Sequence, residues 1–135
     1  MDRFNNWKYP EIHEGKPTEY NWVVQHVTGL RLGDRTDIGA FTYINAKYDV
    51  IIGEEVQIGS HCSIYSVSTI DNKQGPVVLK KCCKIGSHCV IMPGVTVGEH
   101  AVIGAMSFVT QDIPAYAMAV GVPAKVKNAC KGDGN

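Results

Sequence analysis

The sequence predicts an all-β fold, a parallel β-helix of about four to five short coils with one excursion loop and a short C-terminal tail. Three observations predict it. Aliphatic residues recur every six positions over most of the chain. A second, mostly small, series follows each of them by four positions. Glycine stands directly after the aliphatic residue at Gly33, Gly39, Gly53, Gly59, Gly86, Gly98 and Gly104.

The beat opens at Leu32, Ile38 and Ile44. After two extra residues near Asp49–Ile51 it resumes at Ile52, Ile58 and Ile64. After a longer break it runs through Leu79, Ile85, Ile91, Val97, Ile103 and Val109. Chance would put an aliphatic residue at roughly a quarter to a third of these positions. A period of six matches neither a helix nor a plain alternating strand. A strand alternates its side chains between two faces. A return to the same inward point every six residues therefore means one short strand and one turn. Three such units close a triangular coil of eighteen residues, giving coils at 32–49, 52–69, 79–96 and 97–114. Fixed-period repeats of this kind build stacked architectures.

The small series reads Thr36, Thr42, Tyr48, Val56, Cys62, Ser68, Cys83, Cys89, Val95, Ala101, Ser107 and Ile113. It is expected where the chain turns inward and space is tight. Glycine beside the aliphatic residue is read as backbone free to bend. Three of the five cysteines fall in the small series and are expected as reduced packing residues. Their spacing fits no metal motif, and five is an odd count for disulfides.

The segment Ile70–Val78 is polar, carries Gly75-Pro76 and breaks the beat, so a loop is expected to leave the prism at about 70–78. Residues 1–28 have no clear beat, though Trp22–Val27 suits an irregular leading coil. Residues 115–135 are expected to form a tail outside the prism, frayed over Lys131–Asn135. The 135 residues read as one domain: an N-terminal segment 1–28, the repeat 29–114 and the tail 115–135.

Thirteen acidic and thirteen basic residues balance to zero, which removes the electrostatic case for nucleic acid or an anionic membrane. No apolar run is long enough to insert into a membrane. The first residues lack an apolar leader core, so a cytoplasmic location is expected.

Counting by coils stacks Ile38, Ile58, Ile85 and Ile103 on one face. The following turn then carries Ala40, Ser60, Ser87 and Ala105 in one column. The neighbouring column carries Phe41, His61, His88 and Met106. A histidine stack could bind a metal, but two ligands without a carboxylate make a weak site, and no metal is expected.

The run IGSHCVIMPGVTVGEHAVIGAMSFVTQDIP from Ile85 to Pro114, followed by AVGVPAKV from Ala119 to Val126, resembles the hexapeptide-repeat acyltransferases. The nearest branch is the galactoside, maltose and surface-polysaccharide sugar acetyltransferases. The resemblance is dense over 79–126 and looser over 30–70. It implies left-handed coiling, an exception to the usual right-handed crossover. It implies a homotrimer with acyl-CoA sites in the grooves between subunits. It also implies that acetyl-CoA lies along the Ser60, Ser87 and Ala105 column, held by backbone groups at Ser87 and Ala105. Thr110 and Lys125 would lie toward its nucleotide end, with Lys125 meeting a phosphate.

The sequence departs from that branch at one point. The histidine those enzymes carry before the loop aligns with Thr69, and their companion asparagine aligns near Phe41. Three explanations stand open. His61 serves as the base instead, the acceptor is an amine that needs no strong base, or the chain binds without catalysing. Asp71 and Asn72 open the loop and are candidates for contacting the acceptor or orienting a histidine, with Thr69 and His88 as further acceptor contacts. The expected function is a CoA-dependent acetyltransferase. It would act on the amino group of a nucleotide-linked amino sugar or on a hydroxyl of a surface-polysaccharide sugar. A non-catalytic scaffold and a metal-dependent trimer like the γ-carbonic anhydrases are the alternatives.

Overall fold

A computed structural model describes residues 4–129. The chain winds into a left-handed parallel β-helix of about five turns, as the six-residue beat predicts. Strands of two or three residues stack into three sheets. Sheet A stacks Val23–Gln25, Tyr43–Asn45, Ser63–Tyr65, Val90–Ile91 and Phe108–Val109. Sheet B stacks Leu30–Leu32, Val50–Ile52, Val77–Leu79 and Thr96–Val97. Sheet C stacks Asp37–Ile38, Gln57–Ile58, Lys84–Ile85, Val102–Ile103 and Ala117–Gly121, then adds Ala124–Ala129 antiparallel.

The predicted register holds in sheet C, where Ile38 pairs with Ile58, Ile58 with Ile85 and Ile85 with Ile103. The beat residues fill the core, and Ile44, Ile52, Ile64, Leu79 and Ile91 are almost wholly buried. Each such side chain contributes about 1.5–3 kcal/mol by leaving water. Cys62, Cys83 and Cys89 are buried and free, as expected of packing residues. Cys130 lies outside the described residues. Trp22 and Val24 are buried and Val23–Gln25 pairs with Tyr43–Asn45, so the leading coil is real.

Several expectations need correction. Tyr48 and Ser68 are only partly buried and do not belong to the small inward series. Val50 and Val77 take those inward places, each fully buried two residues before its beat residue. The cause is the A/B corner, whose length varies from coil to coil and moves the inward position along the chain. The excursion is a β-hairpin, with Val67–Ser68 antiparallel to Lys73–Gln74. Val77 and Val78 already lie in sheet B, so the loop is shorter at its far end than 70–78. The tail does not leave the prism at 115. Ala117–Gly121 adds a parallel strand beside Val102–Ile103, and Ala124–Ala129 folds back on it. The expected fraying of Lys131–Asn135 lies outside the described residues.

The beat glycines have a different cause from the one expected. None of them has positive φ. Instead each faces the next coil. A Cβ on Gly59 would lie 2.6 Å from the Ser87 nitrogen, and one on Gly86 would lie 2.6 Å from the Ala105 nitrogen. They are required by the closeness of stacked coils, not by bending.

Candidate functional site

At the C/A and B/C corners the chain turns through two residues, and the second adopts positive φ. At the C/A corner these are Phe41, His61, His88 and Met106, with φ of 67°, 57°, 60° and 66°. The left-handed conformation lets a two-residue turn close, and histidine tolerates it better than most residues. The turns are locked coil to coil. The His61 amide donates to the Ala40 carbonyl at 3.0 Å, His88 to Ser60 at 3.0 Å and Met106 to Ser87 at 2.9 Å. This ladder forces the second turn side chain outward, and it stacks the four of them.

The stack is close. The His61 and His88 rings lie 4.7 Å apart and 5° from parallel, and Phe41 lies 5.2 Å from His61. Phe41 and Met106 are 64% and 66% exposed, so this is a surface ridge and no part of the core. Among the described residues neither imidazole takes a hydrogen bond, so nothing within one chain orients their nitrogens.

Beside the ridge runs the column Ala40, Ser60, Ser87 and Ala105. The Ala105 carbonyl is the topmost of the ladder and, among the described residues, accepts no amide above it, because the chain there enters the hairpin at 121–124. Among the described residues the amides of Ser87 and Ala105 also have no partner. The Gly121 amide donates to Ser107 Oγ at 3.0 Å, which pins that hairpin over the corner. Lys125 follows in the same hairpin, exposed and paired with Val120. Thr110 is exposed at the other end of sheet A, past Phe108–Val109.

Thr69, Asp71 and Asn72 lie elsewhere. They form the tip of the hairpin, at the corner between sheets A and B, and all three are exposed. The Asp71 carboxylate pairs with Lys73 at 3.9 Å. Within one chain Asp71 and Asn72 are therefore separated from His61 by the full width of sheet A. The site residues read from the sequence divide into two groups, one at each edge of that sheet.

Sheet A has another property that the repeat count did not reveal. Its outward residues are Val23, Gln25, Tyr43, Asn45, Ser63, Tyr65, Val90 and Phe108, and none is charged. Sheet C presents Asp37 and Lys84 outward, and sheet B presents Arg31. Among the described residues no three metal-binding side chains come together within one chain. No described helix is long and apolar enough to cross a membrane.

Sequence analysis also missed a cleft at the N-terminal end of the prism. Phe4–Pro10 lies across the first coil, tied by the Trp7 indole N–H donating to the Thr36 carbonyl at 2.7 Å. The signal available was the concentration of aromatic residues between Phe4 and Trp22.

Residues 76–111 match the family described as bacterial transferase hexapeptide (six repeats). The chain carries the hexapeptide repeat of that family over this segment. Its resemblance to the hexapeptide-repeat acyltransferases extends well beyond that segment. A putative colanic acid biosynthesis acetyltransferase of Escherichia coli is 32% identical over 108 residues, covering 80% of this chain and 54% of that protein. A dTDP-3-amino-3,6-dideoxy-alpha-D-galactopyranose 3-N-acetyltransferase of Aneurinibacillus thermoaerophilus is 49% identical over 53 residues, 39% of this chain and 28% of that protein. A hexapeptide-repeat acetyltransferase of Vibrio cholerae, solved with acetyl coenzyme A, superposes with a TM-score of 0.76 at 28% identity. That match covers 80% of this chain and 64% of the other. The chain spans about half the length of the curated relatives it matches.

Proposed function

We propose that this chain is a CoA-dependent acetyltransferase acting on a sugar, working as a homotrimer in the cytoplasm, in polysaccharide biosynthesis. One observation carries the reading. The His61 corner combines small side chains at Ser60, Ser87 and Ala105 with unpartnered backbone groups at Ser87 and Ala105. A pantetheine arm is an extended chain with amide groups, and it needs close backbone approach and free donors and acceptors. The bound acetyl coenzyme A of the Vibrio relative supports the donor. The colanic acid and dTDP-amino-sugar relatives support a sugar acceptor, as hydroxyl or amine.

Two features support the trimer. Sheet A offers an uncharged outward face that burial would favour, and the site residues lie at its two edges. If the hairpin of one protomer meets the His61 corner of the next, Thr69, Asp71 and Asn72 join His61 and His88 in one groove. Asp71 then orients the acceptor or an imidazole, and Lys125 and Thr110 meet the nucleotide part of the donor.

His61 is the base. It takes the proton from the acceptor hydroxyl or amine as that atom bonds to the acetyl carbon. The carbon–sulfur bond breaks, and the proton passes to the departing thiolate. Ridge exposure leaves the ring free to reach an acceptor in the groove.

The test is thiol release from acetyl-CoA with a panel of amino and neutral sugars. No turnover and no CoA binding would sink the enzyme reading. His61→Ala is expected to lose about 100-fold in kcat. A near-normal rate would instead mean an amine acceptor attacking without a histidine base.

A further inference from the structure

Ile70 stands at the tip of the excursion hairpin and is 99% exposed. A side chain that buries nothing adds nothing to the stability of the single chain. The hairpin that carries it is nonetheless firmly built. Val67–Ser68 pairs with Lys73–Gln74. The Gly75 amide donates to the Ser66 carbonyl at 2.9 Å, and the Gly94 amide donates to the Gly75 carbonyl at 3.3 Å. From Ser66 to Ile70 the arm reaches about 13 Å, at about 3.3 Å per residue. A rigid arm holds an apolar tip away from its own prism.

The opposite edge of sheet A carries exposed apolar surface too. Phe41 is 64% exposed and sits at a φ of 67°, a backbone that bulky side chains seldom adopt. Its ring lies 5.2 Å from that of His61, which stacks in turn on His88 at 4.7 Å. The three rings form one continuous strip.

Height decides what the arm meets in the trimer proposed above. Strand Ser63–Tyr65 runs from the His61 corner to the base of the hairpin, so both belong to one rung. The bond from Gly94 to Gly75 ties the returning strand to the rung above, which is that of His88. Both edges of sheet A run along the prism. A rotation that brings the hairpin edge of one protomer to the His61 edge of the next has its axis along the prism. Such a rotation preserves height. Ile70 then arrives between the His61 and His88 rungs, which lie about 4.8 Å apart.

We propose that Ile70 of one protomer is an apolar gate over the His61–His88 stack of the next, and that it keeps water from the acetyl thioester. The proposal rests on the trimeric acetyltransfer reading and adds to it one residue and one task. The task is needed because a base that activates an acceptor also activates water. His61 would take a proton from water as the water oxygen bonds to the acetyl carbon. The carbon–sulfur bond would break, and the proton would pass to the thiolate, leaving acetate and free CoA. Closing a site with apolar surface suppresses that side reaction.

The test is thiol release from acetyl-CoA by the full chain with no acceptor present. Ile70→Ser is expected to speed this hydrolysis about tenfold or more, while Ile70→Leu stays near the parent. Light scattering checks that the trimer persists. Disulfide trapping tests the contact separately and decides the matter should Ile70→Ser disturb assembly. Ile70→Cys is combined with His61→Cys, and in a second protein with His88→Cys, and each is oxidised. A disulfide closes only when the Cα atoms come within about 7 Å. Covalently linked protomers are expected from at least one pair, beyond what the single variants give. Unchanged hydrolysis in an intact Ile70→Ser trimer, or no linked protomers from either pair in a trimeric protein, would overturn the proposal. A trimeric parent that acetylates its acceptor would in that case keep the enzyme reading and lose only the gate. A monomeric parent would sink the trimer, and the gate with it.

Discussion

Gly59→Ala tests the claim that beat glycines exist because coils stack too closely for a side chain. The new Cβ would lie 2.6 Å from the Ser87 nitrogen, 2.8 Å from its Cα and 3.1 Å from the Gly86 carbonyl carbon. Ordinary carbon contacts begin near 3.5 Å, so the two coils must part locally by nearly 1 Å. All three atoms are backbone, and no rotamer change can relieve them. The flanking bonds from Gly59 to Ile85 (2.8 Å) and from His88 to Ser60 (3.0 Å) resist that opening. Overpacking costs about 1–3 kcal/mol, and this rigid setting argues for about 3. For a chain of this size that is a fall of roughly 10 °C in Tm. The assay is thermal unfolding by circular dichroism at fixed protein concentration, since assembly would otherwise shift the midpoint. Gly94→Ala is the control. Gly94 has φ of 83° and nothing within 4 Å of a Cβ, so its cost is the left-handed backbone alone, about 1–2 kcal/mol. A Gly59→Ala midpoint within about 2 °C of the parent, or a smaller loss than Gly94→Ala, would refute the stacking argument.

Three further predictions test the site and the core. Ala105→Val, which crowds the free Ala105 carbonyl, should raise the KM for acetyl-CoA about tenfold with Tm unchanged; an unaltered KM would remove Ala105 from the donor groove. Val90→Asp puts a charge in the middle of the uncharged sheet A face and should convert a trimer to monomer in light scattering; a persisting trimer would mean the interface lies elsewhere. Burial pushes the Cys83 thiol from 9.0 up to about 12. The unfolded thiol ionises first, so the stabilisation is intact below about pH 9 and is lost as pH rises toward 12. The gap corresponds to about 4 kcal/mol. Urea unfolding of the parent and Cys83→Val between pH 8 and pH 10.5 should show a steeper decline in the parent, and parallel slopes would disprove the linkage.

The prism was legible because its core residues are set by a local period. Ile38, Ile58, Ile85 and Ile103 could be stacked by counting alone, and so could the His61–His88 pair. The count failed where the period does not govern. At the A/B corner, turn length varies, so Tyr48 and Ser68 were misplaced and Val50 and Val77 missed. The glycine positions were visible, but their cause is a neighbour one coil away. Ala117–Ala129 pairs partly antiparallel, outside any six-residue rhythm. The cleft depends on where an aperiodic segment lies, and contacts such as the Trp7–Thr36 hydrogen bond fix that in space, not in sequence. The separation of Asp71 from His61 needed the corner assignment, since Asp71 follows His61 by only ten residues in the chain.

The C-terminal hairpin has a consequence for solubility. A stack of identical rungs has no intrinsic stopping point, because its last strands offer unpaired backbone groups to any similar rung. Ala124–Ala129 reverses direction across the last parallel strand of sheet C and is itself antiparallel, so it breaks the template that an incoming coil would copy. Phe4–Pro10 covers part of the opposite end. Together they act as end stops against fibre growth. Truncation after Tyr116 would bare the Val102–Ile103 edge, and the shortened chain should associate end to end.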